Sequence, residues 1–113
     1  MAWRLEIHHI GLTTRGDATL VFAKNRDTGV TRSALIDGGL QKCAPEVDRY
    51  LARTLKNPKT GVAVALDVMV ATHYDTDHCG GLTGLLLLKH DRYKRARIYD
   101  QGWLGPDTPK TSP

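Results

Sequence analysis

The N-terminal third of the chain alternates with a period of two, and that alternation restricts the fold more than any other feature. In "WRLEIHHI", Trp3, Leu5 and Ile7 fall on one side of an extended backbone and Arg4, Glu6 and His8 on the other, the pattern of a half-buried strand. "TTRGD" supplies turn chemistry through Gly16 and Asp17, and "ATLVFAK" reads as a second strand. "NRDTG" has hairpin composition, with Gly29 suited to a positive φ. "TRSALID" is a third strand and ends at Asp37-Gly38-Gly39. Three consecutive strands with short links predict an antiparallel meander.

The period then changes. In "APEVDRYLARTL", Val47, Tyr50, Leu51 and Leu55 recur at the spacing of one helical face. Pro45 and Glu46 suit a first helical turn, where a missing N–H costs nothing and negative charge meets the helix dipole. Asn57-Pro58 is the expected stop. "GVAVALDVMVAT" is valine-rich and apolar on both faces, so a central buried strand is expected there, delivering His73 at its C-terminal end. "GGLTGLLLLKHDRYK" reads as a helix starting near Gly80, with leucines 85 to 88 deeply buried. "ARIYD" reads as a short strand and "QGWLGPDTPKTSP" as loop. No internal repeat or low-complexity segment is read. The order βββ-α-β-loop-α-β predicts a mixed α/β layer in a single domain over residues 1–113.

Composition excludes several classes. With 41% hydrophobic and 25% charged residues the composition is that of a soluble globular protein rather than a disordered one. The longest apolar run falls far short of the ~20 residues of a membrane helix, and Asp67 interrupts it. No secretory signal is read at the N-terminus. Cys43 and Cys79 match neither a disulfide framework nor a metal knuckle, and reduced thiols in a cytoplasmic protein are expected. The net charge of +4 permits attraction to nucleic acid. Its one dense basic run, "KHDRYKRAR", reads first as a solvated helix end.

The chemistry concentrates in "ATHYDTDHCGGL", where His73, Asp75, Asp77 and His78 fall within six residues between a buried strand and a glycine-opened helix. Imidazole nitrogens and carboxylate oxygens are the donors that suit zinc, manganese or iron. Four such donors could divide between two metals. Coordination lowers the pKa of water from ~15.7 to about 7, which supplies a nucleophile without any side chain acting as one.

This segment resembles the His-x-His-x-Asp-His signature of the metallo-β-lactamase superfamily, with Asp75 in place of the second histidine. That substitution is shared with the branch similar to the hydrolase domain of ComEC/Rec2 competence proteins. "LEIHHIGLTTRGDATLVF" resembles the opening strand pair of that branch, through the turn Gly16-Asp17-Ala18, and "ALIDGG" resembles its strand ending in Asp-Gly-Gly. The resemblance implies the sheet-and-helix layer that forms the first half of an αββα sandwich, incomplete at the C-terminus. It also implies two divalent metal ions, His73 and Asp75 at the first, Asp77 and His78 at the second. Asp77 would also stand near the attacking water, Asp37 would steady the metal loop, and Gly80 and Gly81 would let the backbone turn into the helix. The implied reaction is hydrolysis of phosphodiester or nucleic-acid substrates.

The chain also departs from that pattern. The family's opening turn usually reads Val-Gly-Gln-Gly-Asp, where this chain has Thr13-Thr14-Arg15-Gly16-Asp17. The superfamily takes a further histidine, a bridging aspartate and a last histidine from later segments. After His78 this sequence offers His90, ~18 Å along a helix, and Asp91, Asp100 and Asp107.

Other readings stand beside these. Asp77 could simply cap the following helix. His8 and His9 point to opposite faces of a strand and cannot serve one site. Cys79 suits a small buried filler, and Tyr99 and Trp103 suit the cover of a hydrophobic edge better than base stacking. The second functional reading is a catalytically incomplete copy, acting as a binding module or self-associating through the unmatched face of a half-sandwich.

Overall fold

The computed structural model describes residues 2–14, 16–72, 76–88 and 90–100. β1 (Trp3–His9), β2 (Thr19–Asn25) and β3 (Thr31–Ile36) form the expected antiparallel meander. A 3₁₀ turn, Gln41–Cys43, leads into α1 (Ala44–Thr54). β4 (Val68–Val70) adds parallel to β3, and α2 (Thr76–Leu88) and the single turn α3 (His90–Tyr93) follow. β5 (Arg97–Tyr99) adds parallel to β4 and completes a five-stranded mixed sheet in the order β1-β2-β3-β4-β5. The fold is thus a small α/β domain with its helices on one face of the sheet.

The core lies between that face and the helices. Leu20, Phe22, Leu35 and Met69 from the sheet are fully buried against Val47, Leu51 and Leu55 of the α1 segment and Leu85 of α2. α1 begins as its sequence predicts, with Pro45 in the first turn and Glu46 beside it, and ends at Thr54, short of Asn57-Pro58. Burying these side chains supplies ~1.5–3 kcal/mol apiece before entropy is counted.

β1 has the predicted alternation, which left open the face that would meet the helices. Its polar face is the one covered, because Glu6 and His8 lie beneath α1, where His8 Nδ1 is 2.6 Å from the Tyr50 hydroxyl. Trp3, Leu5 and Ile7 face outward and are 47, 64 and 63% exposed. The strand register decides this: Leu5 and Ile7 pair with Ala23 and Val21 of β2, whereas the fully buried apolar residues of β2 are their neighbours Leu20 and Phe22.

The valine-rich segment yields a strand of three residues, not twelve. Its first part is spent elsewhere, since Lys56 bridges Ala63 and the Val64 N–H donates to the Leu55 carbonyl, making a small hairpin off the end of α1. β4 begins only after Asp67, whose carboxylate accepts from the Ser33 N–H at 2.9 Å while the Ser33 hydroxyl accepts from the Asp67 N–H.

A repeat overlooked in the sequence explains the hairpin. "NRDTGV" at 25–30 and "NPKTGV" at 57–62 share the pattern Asn-x-x-Thr-Gly-Val and the same turn. In each, the asparagine Oδ1 accepts two backbone N–H groups, at 2.9 and 3.0 Å from Asn25 and 2.8 and 3.2 Å from Asn57. In each, the threonine hydroxyl accepts from the valine N–H, and the glycine has positive φ, +78° at Gly29 and +72° at Gly61. The two turns touch, Asn57 Nδ2 donating to the Gly29 carbonyl.

Two further expectations change. Leu85 is buried as predicted, but Leu87 is 73% exposed. The basic run is not wholly solvated: Arg92 donates to Asp48 at 3.1 Å, and the buried Tyr93 hydroxyl donates to the same carboxylate. The C-terminal stretch 101–113, with Trp103 and Asp107, lies outside the described residues.

Candidate metal centre

β3, β4 and β5 run parallel, so their C-terminal ends share one edge of the sheet, the edge where open α/β sheets commonly place a ligand site. The Asp37 N–H donates to the Val70 carbonyl and the Ala71 N–H to the Tyr99 carbonyl, extending both ladders past the strands. Two loops and a helix meet there. The Gly39 N–H donates to the Asp17 carbonyl at 3.0 Å, and the Gly81 N–H donates to the Gly39 carbonyl at 2.7 Å. The Gly16-Asp17-Ala18 turn, the Asp37-Gly38-Gly39 turn and the Gly80-Gly81 pair of α2 therefore form one connected cluster.

Glycine makes that junction possible. A Cβ on Gly81 would stand 1.7 Å from the Gly38 carbonyl oxygen, and one on Gly38 would stand 2.8 Å from the Leu82 nitrogen. The helix and the turn thus meet backbone against backbone, which no other residue type permits.

Asp37 is the residue to which this edge is tied. It is 4% exposed and holds φ +62°, a left-handed conformation that aspartate tolerates better than most side chains. One carboxylate oxygen accepts from the Thr72 N–H at 2.8 Å and the other from the Thr72 hydroxyl. Thr72 immediately precedes His73 in the chain. A buried carboxylate thus fixes the last residue before the His73–Asp75 segment.

His73 and Asp75 themselves lie outside the described residues. Asp77 and His78 are positioned by backbone alone, in the first turn of α2. That corrects the sequence expectation, since the helix starts at Thr76 and not near Gly80. Propensity misplaced the start: two glycines look like an opening loop, but here they serve a close packing contact inside the helix. Among the described residues, no group of three or more His, Cys, Asp or Glu side chains could hold a metal. The donor set His73, Asp75, Asp77 and His78 fits a divalent transition metal by its chemistry, imidazole and carboxylate in equal number.

His8 and His9 do point to opposite faces. His9 Nδ1 is 3.2 Å from the Thr19 hydroxyl, while His8 bridges Tyr50 and Glu6, its Nε2 3.0 Å from the Glu6 carboxylate. Lys24 Nζ is 3.0 Å from the same carboxylate. Burial pushes the Glu6 carboxyl up, but the hydrogen bonds and charges of His8 and Lys24 outweigh it and hold the group below its ordinary value. A groove of about 480 Å³ adjoins Tyr50, lined also by Arg49 and Arg53.

The second polar cluster, Asp48 with Arg92 and Tyr93, was also missed. Its one sequence signal was an aspartate adjoining the apolar stripe of α1. Burial, and then the hydrogen bond to Asp48, raise the Tyr93 phenol well above its ordinary value. Cys43 is a buried free thiol with its sulfur 3.0 Å from the Thr14 hydroxyl. No described helix is long and apolar enough to cross a membrane.

No known family's sequence model matches the chain, and no curated protein matches it either.

Proposed function

We propose that this chain carries the first ligand loop of a metal-dependent hydrolase of the metallo-β-lactamase type, acting on phosphodiester or nucleic-acid substrates. The observation that carries this reading is the grip of Asp37 on Thr72, which anchors the chain one residue before His73 at the carboxyl edge of the parallel strands. His73 and Asp75 would hold one divalent metal, and Asp77 and His78 a second. Bound there, such ions would supply an activated water and positive charge beside the phosphate. Asp77 would stand near that water. Asp37 acts at one remove, by fixing Thr72 and with it the approach of the chain to the ligands.

The helices on one face of the sheet and an uncovered apolar second face also fit the first half of an αββα sandwich. A second reading, a binding module without catalysis, is favoured by that same face.

The test is hydrolysis of a chromogenic phosphodiester by the purified chain with added Mn²⁺ or Zn²⁺. Turnover that depends on metal and disappears in Asp77→Ala is expected. Absence of metal-dependent turnover, or turnover untouched by Asp77→Ala, would overturn the catalytic reading.

A further inference from the structure

Residues paired across a sheet share a face, so the registers define what lies opposite the helices. β1 contributes Trp3, Leu5, Ile7 and His9, β2 contributes Thr19, Val21, Ala23 and Asn25, β3 contributes Arg32, Ala34 and Ile36, β4 contributes Val68 and Val70, and β5 contributes Arg97 and Tyr99. Nothing in the described structure covers this face. Its larger part is β1, β2 and β3, six or seven residues long each, which at ~4.8 Å spacing span a few hundred Å², a size that marks an interaction surface.

The face has relief. Along β1 stand three large side chains, about half to two-thirds exposed. Beside them on β2 to β4 lies a shallow trough of smaller, half-buried ones, Val21, Ala23, Ala34 and Val68. Ridge and trough lie side by side on one surface, which makes it self-complementary under a two-fold rotation. The charged residues on it, Arg32 and Arg97, sit at the same end of β3 and β5, and no acidic residue lies on the paired positions. Away from that end the exposed side chains of the face are the apolar ones of β1, Trp3, Leu5 and Ile7, and these call for an apolar occupant.

We propose that the occupant is a second copy of this chain, packed sheet face to sheet face about a two-fold axis running along β2. Each β1 ridge then rests in the other copy's trough. Ile7 comes over Ala34 of the second copy, at the same level of the register because Ile7, Val21 and Ala34 lie in one row. Leu5 comes over the second copy's Arg32, whose aliphatic stem packs while its guanidinium reaches solvent. This assembly holds with or without metal, so its test and the test of hydrolysis fail separately.

Light scattering coupled to size exclusion, run without added metal, reads the assembly. The 12.5 kDa chain is expected as a dimer at tens of micromolar. Ile7→Glu and Ala34→Lys are each expected to be monomers with unchanged circular dichroism, since both positions lie on the open face. Mixed together they are expected to form a heterodimer, in which one Glu–Lys pair and one unaltered Ile–Ala contact replace two mismatched ones. A monodisperse wild-type monomer at 100 µM overturns the proposal, including the case in which a different protein is the natural occupant. So do variants that remain dimeric, and a mixture that stays monomeric.

Discussion

Asp37 and Thr72 are 35 residues apart in the chain, yet both carboxylate oxygens of Asp37 accept from Thr72, one from its N–H and one from its hydroxyl. β3 and β4 are parallel neighbours in register, which sets their C-terminal ends side by side. Asp37→Ala removes charge-assisted bonds and puts alanine at φ +62°. A loss of about 2–3 kcal/mol is expected in urea unfolding, with metal affinity falling about 10–100-fold. Asp37→Asn keeps an acceptor and tolerates the backbone, so about half that loss is expected.

Gly81→Ala is expected to be far more damaging than its size suggests. Its Cβ meets the Gly38 carbonyl at 1.7 Å, so α2 must separate from the turn. Loss of cooperative thermal unfolding is the expected outcome. Gly11→Ala is the control, because a Cβ there meets nothing within 4 Å. A change within about 0.5 kcal/mol is expected.

Tyr93→Phe removes the phenol that donates to the buried Asp48 and leaves the ring volume in place. A cost of about 1–3 kcal/mol at neutral pH is expected from denaturant titration. The Tyr93 value is raised by folding, so its contribution is complete below the ordinary phenol value of 10 and is lost as pH rises through the folded value. Wild type should therefore lose stability in strong alkali more steeply than Tyr93→Phe does.

Glu6 behaves in the opposite sense. Its value is lowered by folding, so its contribution is present above the ordinary value of 4.5 and disappears as pH falls through the folded value. Glu6→Gln should cost below about 1 kcal/mol at pH 7, since the partners are partly solvated. The difference from wild type should vanish in acid, as followed by unfolding at a series of pH values.

The elements were largely legible in the sequence, and their surroundings were not. Period two located β1 correctly but could not say which face would meet a helix. That depended on the register with β2 and on Tyr50 reaching His8. Valine richness over 61–72 suggested one long strand, but the Asn57 turn and the pairing of Asp67 with Ser33 divide it, and both are tertiary contacts. The cluster His73 to His78 was visible as chemistry. The support beneath it, Asp37 on Thr72 and glycine on glycine, joins residues more than thirty apart. Asp37 was expected to steady the loop, while the use of Gly81 as a packing surface, rather than a helix opener, emerges only when Gly38 is seen against it.

Calorimetric titration of the full chain with Zn²⁺ tests the central claim most directly. Saturable binding is predicted, weakened at least about tenfold in both His73→Ala and Asp75→Ala, while His9→Ala, on the open face of the sheet, leaves it unchanged. An isotherm with no saturable binding, or one that the His73 and Asp75 variants reproduce, would contradict the assignment of this loop to a metal.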